Sequence, residues 1–267
     1  MQVKKIFGYF GSKYYMVNDI ITVINHAYKK LGIQCIIDVF GGSGTVLFSI
    51  PKEWKLTLIY NDLDKYLYNI FKVLQNNDLK KKLIEKWEHS FIHQDIYYEF
   101  RDELFKNENF DFITPNVDVA FKWLYIAVKG YSGIASKDST MPLVYNNKKK
   151  EANFDDDVIK KLKYWQVCNK DYRNLIKNAN KESVFLYLDP PYLQGGKRYN
   201  KGGWTIDNFK ELKQILDDFK GYWLLNESSI DKISNIFGKP KIIKEYANHA
   251  ANLLKKSKRQ EGFWSNF

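Results

Sequence analysis

Short apolar runs alternate with segments of helical period along most of this chain. Ile36-Ile37-Asp38-Val39-Phe40, Leu56-Thr57-Leu58-Ile59-Tyr60, Val184-Phe185-Leu186-Tyr187-Leu188 and Tyr222-Trp223-Leu224-Leu225 each have the length and apolar content of a strand buried on both faces. Helical spacing marks Tyr14 to Lys30, Ser43 to Ile50, Leu63 to Leu74, Phe209 to Phe219 and Ile230 to Phe237. Strands that alternate with helices predict an α/β fold, an open and mostly parallel sheet with helices on both faces. The alternating segment Glu261 to Phe267 predicts a last strand.

One stretch breaks the rhythm. Between about 76 and 165 the pattern is helical at Leu79 to Trp87, Gln94 to Phe105 and Val117 to Val128, then polar and lysine-rich from Ser136 to Asn153. No strand of the parallel type is visible there. The expected organisation is one domain made of residues 1–75 and 166–267, interrupted by an inserted subdomain at 76–165. The run Lys148-Lys149-Lys150 is either a solvated loop or a phosphate clamp. Lys255-Lys256-Ser257-Lys258-Arg259 is too basic for a core and reads as a loop or turn facing a polyanion.

Composition narrows the class. The chain has 267 residues, 45% hydrophobic and 27% charged, which fits a soluble globular protein with a sizeable core. No run approaches the roughly 18 apolar residues of a membrane span, and the N-terminus turns polar too early for a signal-peptide core. Cys35 and Cys168 have neither metal nor disulfide spacing, so a reducing cytoplasm is expected. Lys and Arg number 42 against 31 Asp and Glu, a net charge of +11. That balance points to a polyanionic partner, although a lysine-rich composition bias contributes to it.

Three segments carry candidate chemistry, and a fourth supports them. Asp189-Pro190-Pro191-Tyr192 follows the most apolar strand, where a carboxylate can hold the exocyclic amine of a planar base while an aromatic ring stacks on its face; a rigid turn would look similar. Asp38-Val39-Phe40-Gly41-Gly42-Ser43-Gly44-Thr45 runs from a strand into glycines and a helix, which lets a ligand approach backbone N–H groups. Its spacing is not the G-x-G-x-x-G of dinucleotide folds. At the next strand tip, Asn61-Asp62-Leu63-Asp64 offers a carboxylate for ribose hydroxyls or for capping the following helix. Near the start, Tyr9-Phe10-Gly11-Ser12-Lys13 places a lysine after a glycine turn.

In this order the segments resemble the DNA adenine methyltransferases of the Dam type, the Asp-Pro-Pro-Tyr class. The likeness covers nearly the whole chain and extends through Leu225-Asn226-Glu227-Ser228 and the terminal segment from Glu261. It implies a Rossmann-like methyltransferase fold with an antiparallel C-terminal strand, S-adenosyl-L-methionine as cofactor, double-stranded DNA as partner, a cytoplasmic location and the 76–165 insertion as target-recognition region. A cognate restriction endonuclease is left open as a further partner. By the same resemblance Asp189, Pro190, Pro191 and Tyr192 are catalytic. Tyr9, Lys13, Phe40, Gly42, Gly44, Asp62, Asp171 and Asp189 line the cofactor, with Asp171 equally able to cap a helix.

Target recognition is where the chain departs from the family. Leu124 to Ile134 resembles the family's DNA-touching stretch, so Tyr131 is expected as a wedge in the base stack, or else as a core aromatic. Lys129 is expected at a phosphate, and Lys137 among the DNA-binding residues. The asparagines and arginines that usually follow are replaced by Ser132, Ala135, Ser136 and Lys137, so no recognition sequence is implied. His89 and His93 lack a third ligand, and no metal is expected. Two rivals share these motifs: an RNA adenine methyltransferase, and a DNA-binding relative without catalysis.

Overall fold

The computed structural model describes residues 5–9, 11–106, 110–131, 133, 135–142, 151–193, 204–247 and 258–267. Phe10, Ser132, Ile134, Lys148 to Lys150 and Lys255 to Ser257, considered above, lie outside these. The described residues form two compact units, one comprising residues 1–14, 42–49 and 62–169, the other residues 15–41, 50–61 and 170–267. This differs from the expected insertion at 76–165. Helix α3 (Lys65–Gln75) packs on α4 (Asn77–Glu88), α6 (Val117–Lys129) and α7 (Asp156–Leu162), so it joins the helical segment instead of ending before it.

The second unit holds a mixed sheet. It is built from β1 (Cys35–Asp38), β2 (Thr57–Asn61), β4 (Val184–Leu188), β5 (Tyr222–Glu227), β6 (Ile242–Ala247) and β7 (Lys258–Ser265), lying in the order β2-β1-β4-β5-β7-β6. The first four run parallel, and β7 is antiparallel to both β5 and β6. The α/β class, the parallel core and the antiparallel C-terminal strand are therefore as expected. β4 is buried at every position, as its apolar run requires, whereas β2 is exposed or half-buried at Thr57, Leu58 and Ile59, so it is not a two-faced core strand.

Period-two alternation sorts the sheet residues onto two faces. Ile37, Val39, Leu186, Leu188, Leu225 and Trp264 pack with Leu175, Ile176, Phe209, Leu212 and Ile233 from α8 (Tyr172–Asn178), α9 (Ile206–Asp217) and α10 (Ile230–Phe237). The other face is different in kind near the strand ends. The register pairs Asp38 with Tyr187, Tyr187 with Leu224 and Asn226 with Phe263, which places Asp38, Tyr187, Asn226 and Glu261 on that one face. All four are 0–1% exposed. A buried polar row at the carboxyl ends of parallel strands is where ligands of open α/β sheets bind.

Two strands were not legible beforehand. β6 begins at Ile242 and Ile243, both exposed, and alternates too weakly with Lys244 and Glu245 to announce an edge strand. β3 (Trp165–Cys168), in the first unit, buries only Trp165 fully. Lys258 and Arg259 open β7 and are not part of a loop.

Helix α1 (Val17–Leu31) belongs to the second unit, while the first gathers α2 (Thr45–Ser49), α3, α4, α5 (Gln94–Lys106), α6 and α7 around a large aromatic core. Trp123 and Tyr125 of α6, Tyr97 of α5, Phe71 of α3 and Phe7 are each at most 1% exposed. No helix among the described residues is long and apolar enough to cross a membrane.

Candidate active site

In the first unit four separate chain segments converge. The ring of Tyr9 stacks on Trp123 at 6.2 Å and meets Phe7 edge-on at 6.3 Å, which fixes it. Gly42, at φ 51°, lies against that ring, and a Cβ there would stand 3.3 Å from it. Gly44, at φ 70°, would bring a Cβ within 3.0 Å of Trp165. Both backbones need glycine for their conformation, and both approach an aromatic wall closely. Ser12, Ser43 and Thr45 interlock through hydroxyl contacts of 2.9 Å (Ser12 to Thr45) and 2.8 Å (Ser43 to Thr45). Lys13 is 5% exposed, and its amine donates to the carbonyl of Gly11 at 3.2 Å.

The acidic tip divides its labour. Asp62 accepts the Gly42 N–H through Oδ2 at 2.8 Å and the Asp64 N–H through Oδ1 at 2.9 Å, while Asn169 donates to its backbone carbonyl at 2.7 Å. Asp64 caps α3 by accepting the Tyr66 N–H at 2.8 Å. Capping thus falls to Asp64, while the Asp62 carboxylate is turned to the glycine segment. Burial raises the carboxyl of Asp62, and burial together with the Asp62 charge pushes Asp64 up to about 7.

The Asp64 value has a consequence for stability. A carboxyl raised above its ordinary 3.8 binds its proton more tightly in the native state, so its contribution is complete below about pH 4 and is lost as pH rises towards 7. An asparagine at this position keeps a good cap without the charge. Asp64→Asn is expected to flatten the stability profile between pH 4 and 7 and to raise the urea midpoint above pH 7. Parallel unfolding curves at pH 5 and 8 measure it; equal pH responses in the two proteins would show that Asp64 does not titrate in this range.

In the second unit, β4 delivers Asp189 to its carboxyl end, with Pro190 buried and Asp189, Pro191 and Tyr192 half-buried. The Tyr192 hydroxyl donates to Glu261 Oε2 at 3.0 Å. Asn226 Nδ2 donates to the same oxygen at 3.1 Å. The Arg259 Nε lies 2.7 Å from Glu261 Oε1, and the guanidinium sits 4.6 Å above the Tyr192 ring. Burial, then the charges of Asp189 and Glu261, keeps the Tyr192 phenol well above its ordinary value and so protonated.

Phe40 is framed by Tyr172 at 5.7 Å and Trp204 at 5.1 Å, an aromatic wall whose other members the sequence did not mark. Asn61 clamps the neighbouring strand ends, donating to the carbonyls of Val39 and Lys170, both at 3.0 Å. Glu227 accepts the Ser228 and Ser229 N–H groups at 2.7 and 3.0 Å, where α10 begins. Asp171 is the N-cap of α8, accepting the Arg173 N–H at 2.9 Å, and its second oxygen meets the Arg173 guanidinium at 2.8 Å. The capping alternative is what its carboxylate does here.

Two recognition expectations change. Lys129 is 4% exposed, its amine lies 2.6 Å from Glu151 Oε1 and over the Trp87 ring at 5.0 Å, so it is a buried structural cation and not a phosphate contact. Tyr131 is 75% exposed, which excludes the core alternative. Lys137 is exposed. Among the described residues no group of three or more His, Cys, Asp or Glu is arranged to hold a metal ion.

Comparison with known proteins places these features in context. A family model described as D12 class N6 adenine-specific DNA methyltransferase matches residues 9–251. The type II methyltransferase M.MjaIII of Methanocaldococcus jannaschii is 24% identical over 287 aligned positions, covering 99% of this chain and 98% of its own. The modification methylase StsI of Streptococcus sanguinis is 22% identical over 247 positions, covering 85% of this chain and 34% of that longer protein. A solved structure of a putative methylase from Haemophilus influenzae matches at 11% identity and a TM-score of 0.34, covering 92% of this chain and 87% of that one.

Proposed function

We propose a division of labour among these residues from one premise: the chain belongs to the D12 class of N6 adenine-specific DNA methyltransferases. It is an enzyme, its substrate is DNA, and its methyl donor is S-adenosyl-L-methionine. When bound, the donor supplies an electrophilic methyl group on a sulfonium.

The residues present fit such a donor. The backbone at Gly42 and Gly44 is free of side chains where a Cβ would crowd Tyr9 and Trp165, which supports a cradle. Asp62 offers a fixed, half-buried carboxylate to ribose hydroxyls, and Lys13 a buried ammonium to an amino-acid carboxylate. In this reading Tyr9, Phe40, Gly42 and Gly44 line the donor, Asp62 takes the ribose, and Lys13 holds the methionine end. Asp171 would shape the wall chiefly by ordering α8.

The target amine is a poor nucleophile because its lone pair is delocalised into the adenine ring. Asp189 and the Pro190 carbonyl accept its two N–H bonds, draw the nitrogen towards tetrahedral geometry, and free the lone pair for in-line attack. The proline pair holds those acceptors with little conformational freedom, so acceleration comes from positioning and electrostatics. Tyr192 stacks on the adenine, which leaves the duplex to reach the pocket. The observation that carries this reading is the placement of Asp189 at the end of a fully buried strand, at the carboxyl end of the parallel strands where Asp38 and Asn226 also lie.

Residues 76–165 act in target recognition, with exposed Tyr131 as a wedge between bases and Lys137 at a phosphate. Double-stranded DNA in the cytoplasm is the working substrate, and the net charge of +11 supports that partner. One relative is named a modification methylase, which supports a modification role for this chain. Methylation-sensitive sequencing of DNA from cells expressing the chain tests the whole reading. N6-methyladenine confined to one short sequence context is expected; DNA with no added methyladenine, from cells that contain the folded protein, would refute it.

A further inference from the structure

Glu261 is wholly buried on β7, between the exposed Gln260 and the apolar Phe263 two positions on. Desolvation strongly disfavours a carboxylate in such a place unless hydrogen-bond donors surround it. Three do. Its Oε2 takes the Tyr192 hydroxyl at 3.0 Å and the Asn226 amide at 3.1 Å, and its Oε1 faces Arg259 Nε at 2.7 Å. A strand needing only to pair would place another apolar side chain on this face, as Phe263 does. Glu261 is therefore there for what it holds.

What it holds is a ring. The Tyr192 hydroxyl is tied to Glu261, and one face of the ring is covered by the Arg259 guanidinium at 4.6 Å. Glu261 thus fixes Tyr192 twice, directly and through the arginine it orients. A tyrosine free to rotate loses side-chain entropy when a base stacks on it, whereas a clamped one does not.

We propose that Glu261 is a positioning residue for methyl transfer. It locks the Tyr192 ring in the plane against which the target adenine stacks, with Arg259 on the ring's opposite face. The inference rests on the reading that Tyr192 stacks on that adenine. The clamp acts on an orientation, so its loss lowers turnover more than donor binding.

The test uses Glu261→Leu, Tyr192→Phe and the double variant in the full chain. The DNA is a duplex carrying the sequence context found by methylation sequencing, with 2-aminopurine at the target position for the fluorescence arm. Each single variant is expected to lower kcat about tenfold, the scale of one hydrogen bond to a charged group. The KM for S-adenosyl-L-methionine should stay unchanged, and 2-aminopurine emission should rise as the base stacks less firmly. The double variant should be no worse than Glu261→Leu alone, because leucine offers no acceptor and both changes remove the same Tyr192–Glu261 link. Wild-type kcat and emission in Glu261→Leu, or losses that multiply in the double variant, would overturn the proposal. Should Glu261→Leu fail to fold, Tyr192→Phe removes the same hydrogen bond from the other side and decides by the same two readouts. A wild-type protein that methylates no DNA adenine refutes the premise instead, before any variant is made.

Discussion

Replacing Asp189 by alanine is expected to lower methyl transfer about 10³-fold, the range measured when one preorganised hydrogen-bonding group is removed from an active site. The amine would keep the Pro190 carbonyl but lose the charged acceptor, so its lone pair stays in the ring. Asp189→Asn should fall between, because the amide oxygen keeps one acceptor of the same shape without the negative charge. The substitution sits just past a strand buried along its length, and Asp189 is itself only half-buried, so the core is untouched. Tritiated donor measures the transfer, and calorimetry should show donor affinity close to wild type. Near-normal turnover in the alanine variant would remove Asp189 from the chemistry.

The second large effect is expected at Asp62. Asp62→Ala should weaken binding of S-adenosyl-L-methionine about 100-fold, since hydrogen bonds to a charged group contribute roughly 1.5–3 kcal/mol each. The same change frees the Gly42 N–H and the Asp64 N–H, both now held by its oxygens. Asp62→Asn separates the two contributions, because the amide can still accept from one backbone donor. Burial raises the Asp62 carboxyl, so donor affinity should decline as pH falls towards the raised value, where the acid form can no longer accept on both oxygens. Titration calorimetry at several pH values reads both effects. An alanine variant that binds the donor as tightly as wild type would place the ribose elsewhere.

The parts of the fold that were legible have a common cause. β1, β4 and β5 are buried with apolar runs, and α3 carries both a capping aspartate and a buried face from Tyr66 to Leu74 that is apolar except at Asn69. β3 and β6 carry weaker apolar patterns, and β6 opens on exposed residues, so their membership depends on neighbours supplied by distant sequence. The division into compact units was not legible either, because α3 looks like part of an alternating α/β run yet packs with the helical segment. At the site, the Asp189 turn and the glycine segment announced themselves by residue type. Lys129 did not: its cationic type suggested a phosphate, while its position at the end of a helix buried from Trp123 onward meant a partner inside. Glu261 was visible as a member of a strand, but only register shows which face it occupies and what it meets.

The position of β7 between β5 and β6 fixes an order of assembly. β6 precedes β7 in the chain, yet it has no neighbour in the sheet until residues 258–265 leave the ribosome. Until then β5 presents a bare row of amide and carbonyl groups, the kind of edge that recruits a second chain. Nascent protein stalled upstream of residue 258 is thus a candidate client for chaperones, with its sheet open on one side.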